Sequence, residues 1–88
     1  MNLSGKFALI TGASSGIGKG IAKALALKGV KLGLAARRTD KLQDVLTEIE
    51  EQGGEAYIIK MDVADKGSVT EGLAKLKEQF GSIDILVI

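Results

Sequence analysis

The sequence predicts an α/β fold: a parallel sheet whose strands alternate with helices in the order βαβαβαβ. Two observations carry this. Short apolar runs alternate with segments of helical period, and Gly12, Gly29, Gly53-Gly54 and Gly81 stand at junctions between them. At 88 residues the chain is long enough for one domain, residues 1–88, and too short for two.

Phe7 to Ile10 is a short apolar run ending at Thr11-Gly12, the pattern of a buried strand. From Gly16 to Lys28, Ile17, Ile21 and Leu25 recur every four residues, with Ala22 and Ala26 beside them and Lys19, Lys23 and Lys28 on the other side. That spacing predicts an amphipathic helix closed by Gly29. Lys31 to Ala36 returns to strand character, with Gly33 as a weak point or a site of close packing. Thr39 reads as an N-cap, with Asp40 in the first turn, and Leu42, Val45, Leu46 and Ile49 form the apolar stripe of a second helix. Gly53-Gly54 ends it. Ala56 to Met61 is a third strand. Asp65 caps a third helix with the stripe Val69, Leu73, Leu76 and Phe80, and Gly81 stops it. Ser82 to Ile88 reads as a fourth strand.

Composition excludes several kinds of chemistry. Twelve basic and eleven acidic residues leave a net charge of +1, so no basic field for nucleic acid is expected. Cysteine and histidine are both absent, which removes disulfides, thiolate catalysis, a Ser-His-Asp triad and Cys- or His-ligated metal. No apolar run approaches a membrane span, and the first residues lack a signal-peptide core. A cytoplasmic protein with no membrane partner is the expectation.

The most informative segment is Thr11-Gly12-Ala13-Ser14-Ser15-Gly16-Ile17-Gly18, which joins the first strand to the first helix. Gly12 suits a tight turn, Gly16 has no Cβ to hold a diphosphate away, and Gly18 lets the helix pack close to the sheet. The helix amides and dipole then face the phosphates. The alternative reading is a tight turn and nothing more. The spacing Gly-x3-Gly-x-Gly differs from the Gly-x-Gly-x2-Gly fingerprint, and no P-loop ending follows.

Thr-Gly-x3-Gly-Ile-Gly after a first strand resembles the classical short-chain dehydrogenase/reductase family, and the likeness extends over essentially the whole chain. It implies a Rossmann-like fold, half of a doubly wound NAD(P)-binding sheet, with the strands ordered 3-2-1-4. It also implies that Ser14 and Ile17 line the cofactor. With Ser15 between them, the candidate residues at this turn are Gly12, Ser14, Ser15, Gly16, Ile17 and Gly18.

The end of the second strand bears on the cofactor. A carboxylate there would hold an adenosine 2′-hydroxyl; instead Leu34-Ala35-Ala36 is followed by Arg37 and Arg38. A guanidinium fork attracts a 2′-phosphate. The expected cofactor is therefore NADP(H), with Arg37 on the phosphate and Arg38 flanking the adenine; the alternative is two solvated arginines. Asp62 and Val63 follow the third strand. By resemblance Asp62 accepts from the adenine amino group and Val63 packs on the ring; the alternative is a turn-capping aspartate. Tyr57 reads as packing.

No residue is assigned a catalytic role and no metal is expected. Asp84-Ile85-Leu86-Val87 matches the family's fourth strand, but Ile88 stands where Asn-Asn-Ala-Gly would begin, and the later Asn, Ser and Tyr-x3-Lys are not in these residues. The expectation is a truncated, catalytically incomplete NADP(H)-binding segment. An open face and a bare fourth-strand edge predict a homo-oligomer. Two other readings stand beside it: part of an active NADPH-dependent carbonyl reductase, and an engineered or minimal self-associating module without a ligand.

Overall fold

The computed structural model describes residues 3–13 and 16–87. Seven elements follow in order: β1 (Phe7–Thr11), α1 (Gly16–Leu27), β2 (Lys31–Ala36), α2 (Asp40–Glu51), β3 (Glu55–Lys60), α3 (Lys66–Phe80) and β4 (Ile85–Val87). The strands form one parallel sheet ordered β3-β2-β1-β4, as the sequence predicts. Ala8 lies opposite Leu32 on one side and Ile85 on the other, so β1 is the central strand. The chain moves outward from β1 through β2 to β3, then returns to β1's other side with β4. That reversal opens a crevice at the carboxyl ends of the strands.

Successive β1 side chains point to opposite faces, and each face has its own helices. Ala8 and Ile10 pack with Leu32, Leu34 and the α1 and α2 residues Ala22, Ala26, Leu42, Val45 and Ile49. Phe7 and Leu9 pack with Ala35, Met61 and Leu76, the last from α3. Ile10, Leu32, Leu34, Leu42 and Ile49 are completely buried, and each such burial stabilises the fold by about 1.5–3 kcal/mol. The α3 face is thinner, with Leu76 the helix's one buried residue among those described. Phe80 closes its lower end, stacked on Phe7 and tilted against Tyr57, each at 4.7 Å between ring centroids.

Three local expectations are corrected. The centre of the α1 face on the sheet is Gly18 with the expected Ala22 and Ala26, while Ile21 and Leu25 are half-buried against the same core and Ile17 is 81% exposed. Small side chains set this face, because they allow the helix axis to approach the sheet. On the other side of α1, Lys19 and Lys23 reach Glu48 of α2 at 2.7 and 3.8 Å and tie the two helices together. Thr39 occupies the N-cap position of α2 in αR geometry and makes no side-chain cap. The fourth strand begins at Ile85 rather than Ser82. Asp84 joins β1 irregularly instead: its backbone N–H donates to the Phe7 carbonyl and its Oδ2 accepts from the Phe7 N–H, both at 2.9 Å. Ile88 lies outside the described residues.

Gly33 resolves as a site of close packing, since a Cβ there would lie 2.9 Å from Ile59 and 3.0 Å from Phe7. Among the described residues no helix is long and apolar enough to cross a membrane, and no group of three acidic, Cys or His side chains is placed to hold a metal ion.

Candidate functional site

Parallel pairing brings the carboxyl ends of β1, β2 and β3 to one edge. Each strand hands over there to a loop of a different character. After β1 comes Gly12 with φ +66°, a left-handed conformation that costs glycine nothing. After β2 come Arg37 and Arg38, both exposed. After β3 come Met61, Asp62, Val63 and Ala64.

These loops enclose a cleft of about 350 Å³, lined by Gly12, Ala35, Ala36, Arg37, Met61, Asp62, Val63 and Ala64. Four of the residues singled out from sequence therefore meet in one place: Gly12, Arg37, Asp62 and Val63. Gly16, Ile17 and Gly18 stand on the first turn of α1 next to the Gly12 turn but do not line this cleft. Arg38 adjoins Arg37 in the chain and is likewise not among the lining residues. Ser14 and Ser15 lie outside the described residues.

The glycines of the β1–α1 turn and the first turn of α1 differ sharply in their surroundings. A Cβ on Gly18 would collide with the carbonyl oxygen of Gly12 and lie 2.9 Å from its carbonyl carbon and 3.1 Å from Ala13 Cα. Gly18 thus lets α1 sit against the β1–α1 turn. A Cβ on Gly12 or Gly16 meets nothing within 4 Å. The space on the Cβ side of these two positions is therefore empty.

The β3–α3 loop is held by a chain of hydrogen bonds. The Met61 N–H continues the sheet by donating to the Ala36 carbonyl at 3.0 Å. The Asp62 N–H donates to Ser68 Oγ at 3.1 Å, and Asp62 Oδ1 accepts from the Ala64 N–H at 3.0 Å. The Asp65 N–H donates to the Asp62 carbonyl at 3.0 Å. Asp65 caps α3 as the sequence predicts, accepting from the Gly67 and Ser68 N–H groups at 2.9 and 3.4 Å. Asp62 is therefore both a turn-forming carboxylate and a wall of the cleft. On the other side, Thr11 Oγ1 donates to the Val87 carbonyl at 3.3 Å, fixing the end of β1 to β4.

Sequence reasoning missed Met61, Ala64 and Ser68. Met61 is buried and extends over the end of the sheet, where Gly72 of α3 leaves room for its terminal methyl. Ser68 did carry a signal, since it stands three residues after the N-cap Asp65, where side chains reach back toward the chain before the helix. Tyr57 packs below, and its hydroxyl donates to Glu55 at 2.8 Å, which holds the phenol above its ordinary pKa of 10.0. It has no part in the cleft.

Comparison with known proteins agrees with this geometry. The short chain dehydrogenase family matches residues 6–88. A short chain dehydrogenase of Pseudocercospora fijiensis is 36% identical over 85 residues, which are 97% of this chain and 28% of that protein. The structure of a metagenomic short-chain oxidoreductase in complex with NADP superposes with a TM-score of 0.93 at 36% identity, covering 98% of this chain and 39% of that one. An alcohol dehydrogenase of Thermococcus sibiricus complexed with 5-hydroxy-NADP gives 0.84 at 45% identity, covering 92% and 35%. Among curated relatives the chain spans from 7% to 38% of their length. The order of strands, the glycine turn and a family match across nearly every residue agree, and the chain belongs to the short chain dehydrogenase family.

Proposed function

We propose that this chain is the NADP(H)-binding part of a short-chain oxidoreductase. The observation that carries the reading is the single cleft shared by Gly12, Arg37, Asp62 and Val63, at the carboxyl ends of three parallel strands. A nucleotide laid across it has its diphosphate on the side of Gly12 and Gly16 that no side chain occupies, near Ile17 and the amides of the first α1 turn, with Gly18 holding that turn in place. Its adenine rests against Val63 and Asp62. Its 2′-phosphate meets Arg37, with Arg38 flanking the adenine. Residues 34–36 at the end of β2 bring no carboxylate to repel that phosphate. Two solved structures similar to this chain contain NADP or 5-hydroxy-NADP, which supports the same class of ligand.

When bound, the nicotinamide supplies hydride for carbonyl–alcohol interconversion. The residues here bind and orient the adenosine and diphosphate end, and on this reading the chain alone reduces no carbonyl compound. Titration of NADPH fluorescence with wild type and Arg37→Asp tests the assignment. The variant should bind NADPH at least tenfold more weakly, a loss of about 1.4 kcal/mol, and NADH no worse than wild type. Equal loss for both nucleotides would refute the role of Arg37. Oxidation of NADPH by carbonyl compounds with this chain alone would refute the division of labour.

A second reading concerns self-association. Leu86 on the sheet-edge strand β4 is 52% exposed, and Leu73, Ile83 and Leu86 line an open groove beside α3. Such an edge pairs readily with another strand, and on this reading copies of the chain associate there. Sedimentation at micromolar concentration should show a dimer or larger species that Leu86→Lys converts to monomer. A folded wild-type monomer would refute it.

A further inference from the structure

We infer that Ser68 is a positioning residue for the adenosine end of the nucleotide, an inference that rests on the reading just given. The Asp62 N–H is the first amide after the sheet ladder ends, since Met61 makes the final bond to Ala36. No neighbouring strand residue takes it; Ser68 Oγ does, at 3.1 Å and partly buried. Ser68 is the third residue of α3, and its own N–H donates to the N-cap Asp65. In a capping box the side chain at this position reaches back to the N–H of the N-cap. Here the Asp65 N–H is already given to the Asp62 carbonyl, and the hydroxyl reaches three residues further back.

The consequence concerns Asp62. Its N–H, its carbonyl and its Oδ1 are held by Ser68, Asp65 and Ala64 respectively. With all three in place, both peptide groups flanking the Asp62 Cα, and its side chain, are held in the cleft wall. Without the hydroxyl, the Asp62 amide is partly buried with no acceptor, and the loop must turn it toward water. That rotation moves Asp62 and Val63 together, the residues assigned to adenine, and leaves the Gly12 and Arg37 sides untouched. Ser68 therefore acts through Asp62 and does not itself touch the ligand.

The probe is adenosine 2′,5′-bisphosphate, which has the adenosine and 2′-phosphate but no nicotinamide, titrated calorimetrically into the full chain. Ser68→Ala should weaken binding roughly fivefold, about 1 kcal/mol, and Ser68→Thr, which keeps the hydroxyl, should restore it to within twofold. Phe80→Leu, at the far end of the same helix, should lower the melting temperature while leaving affinity below the melt unchanged. Wild-type affinity in Ser68→Ala would overturn the inference, as would a loss that Ser68→Thr fails to restore or that Phe80→Leu reproduces. Failure of the wild-type chain to bind the probe would instead refute the nucleotide-binding reading itself.

Discussion

Replacing Gly18 by alanine would press a methyl group onto the backbone of the turn that carries Gly12. The new Cβ would stand 2.9 Å from the Gly12 carbonyl carbon, closer still to its oxygen, and 3.1 Å from Ala13 Cα, against ordinary contact at 3.4–4 Å. The atoms it meets are backbone and cannot rotate aside, so α1 and the turn must separate by at least about half an ångström. Overpacking of this kind costs about 1–3 kcal/mol. Alanine's better helix propensity offsets about 1 kcal/mol of it. The net loss is at most about 2 kcal/mol, which lowers the melting temperature by up to roughly 15 °C in a domain of this size. Gly20 is the control on the same helix, because a Cβ there meets nothing within 4 Å; Gly20→Ala should raise the melting temperature by roughly 4–8 °C. Gly16→Ala is equally free of collision, so it should keep stability while weakening NADPH binding about tenfold, if the diphosphate approaches that backbone. Thermal melts followed by circular dichroism, with NADPH titrations on the same samples, separate the three. Gly18→Ala melting as high as Gly20→Ala would refute the close-approach argument.

Two further predictions concern the joints around the site. Lys19, and less strongly Lys23, hold the Glu48 carboxyl below its ordinary pKa of 4.5. A carboxylate depressed by folding stabilises the fold above its unfolded pKa, and that contribution is lost as pH falls through the folded value. Wild type should therefore exceed Glu48→Gln in denaturant midpoint near pH 7, and the gap should shrink as pH falls below 4.5; a gap that does not shrink on acidification contradicts the ion-pair account. Asp84→Ala leaves the Phe7 amide without its carboxylate acceptor and should cost about 1.5–3 kcal/mol. Hydrogen exchange at Phe7 should accelerate accordingly, while unchanged protection would show that β4 is held by its ladder alone.

Much of the architecture was legible because simple periodicities match the layers. The stripe Leu42, Val45 and Ile49 is buried as read, since α2 meets the sheet through large side chains that dominate the pattern. For α1 the same logic pointed to Ile17, Ile21 and Leu25 with Ala22 and Ala26 beside them, whereas the buried residues are Gly18, Ala22 and Ala26, with Ile21 and Leu25 only partly buried and Ile17 exposed. Hydrophobicity ranks Ile above Ala and Gly, but the distance of closest approach favours the small residues, and that distance is a property of the packed pair. Arg37 was legible as a candidate because it directly follows a strand whose carboxyl end a parallel sheet must gather, and Asp62 and Val63 were candidates through the family resemblance; all three line the cleft. Met61, Ala64 and Ser68 were not, because their place depends on how α3 settles against β3. Asp84 was read as family pattern, and its bonds to Phe7 needed the register of β1 and β4 to become visible.

The central claim is that the cleft at the ends of β1, β2 and β3 selects a 2′-phosphorylated adenine dinucleotide. Isothermal titration of the wild-type chain with NADPH, NADH and ATP under identical conditions tests it most directly. The account predicts that NADPH binds with at least tenfold higher affinity than NADH, about 1.4 kcal/mol for the phosphate at Arg37, and that ATP, lacking the 2′-phosphate, binds no better than NADH. Equal affinity for NADPH and NADH, or no heat with any of the three, would contradict it.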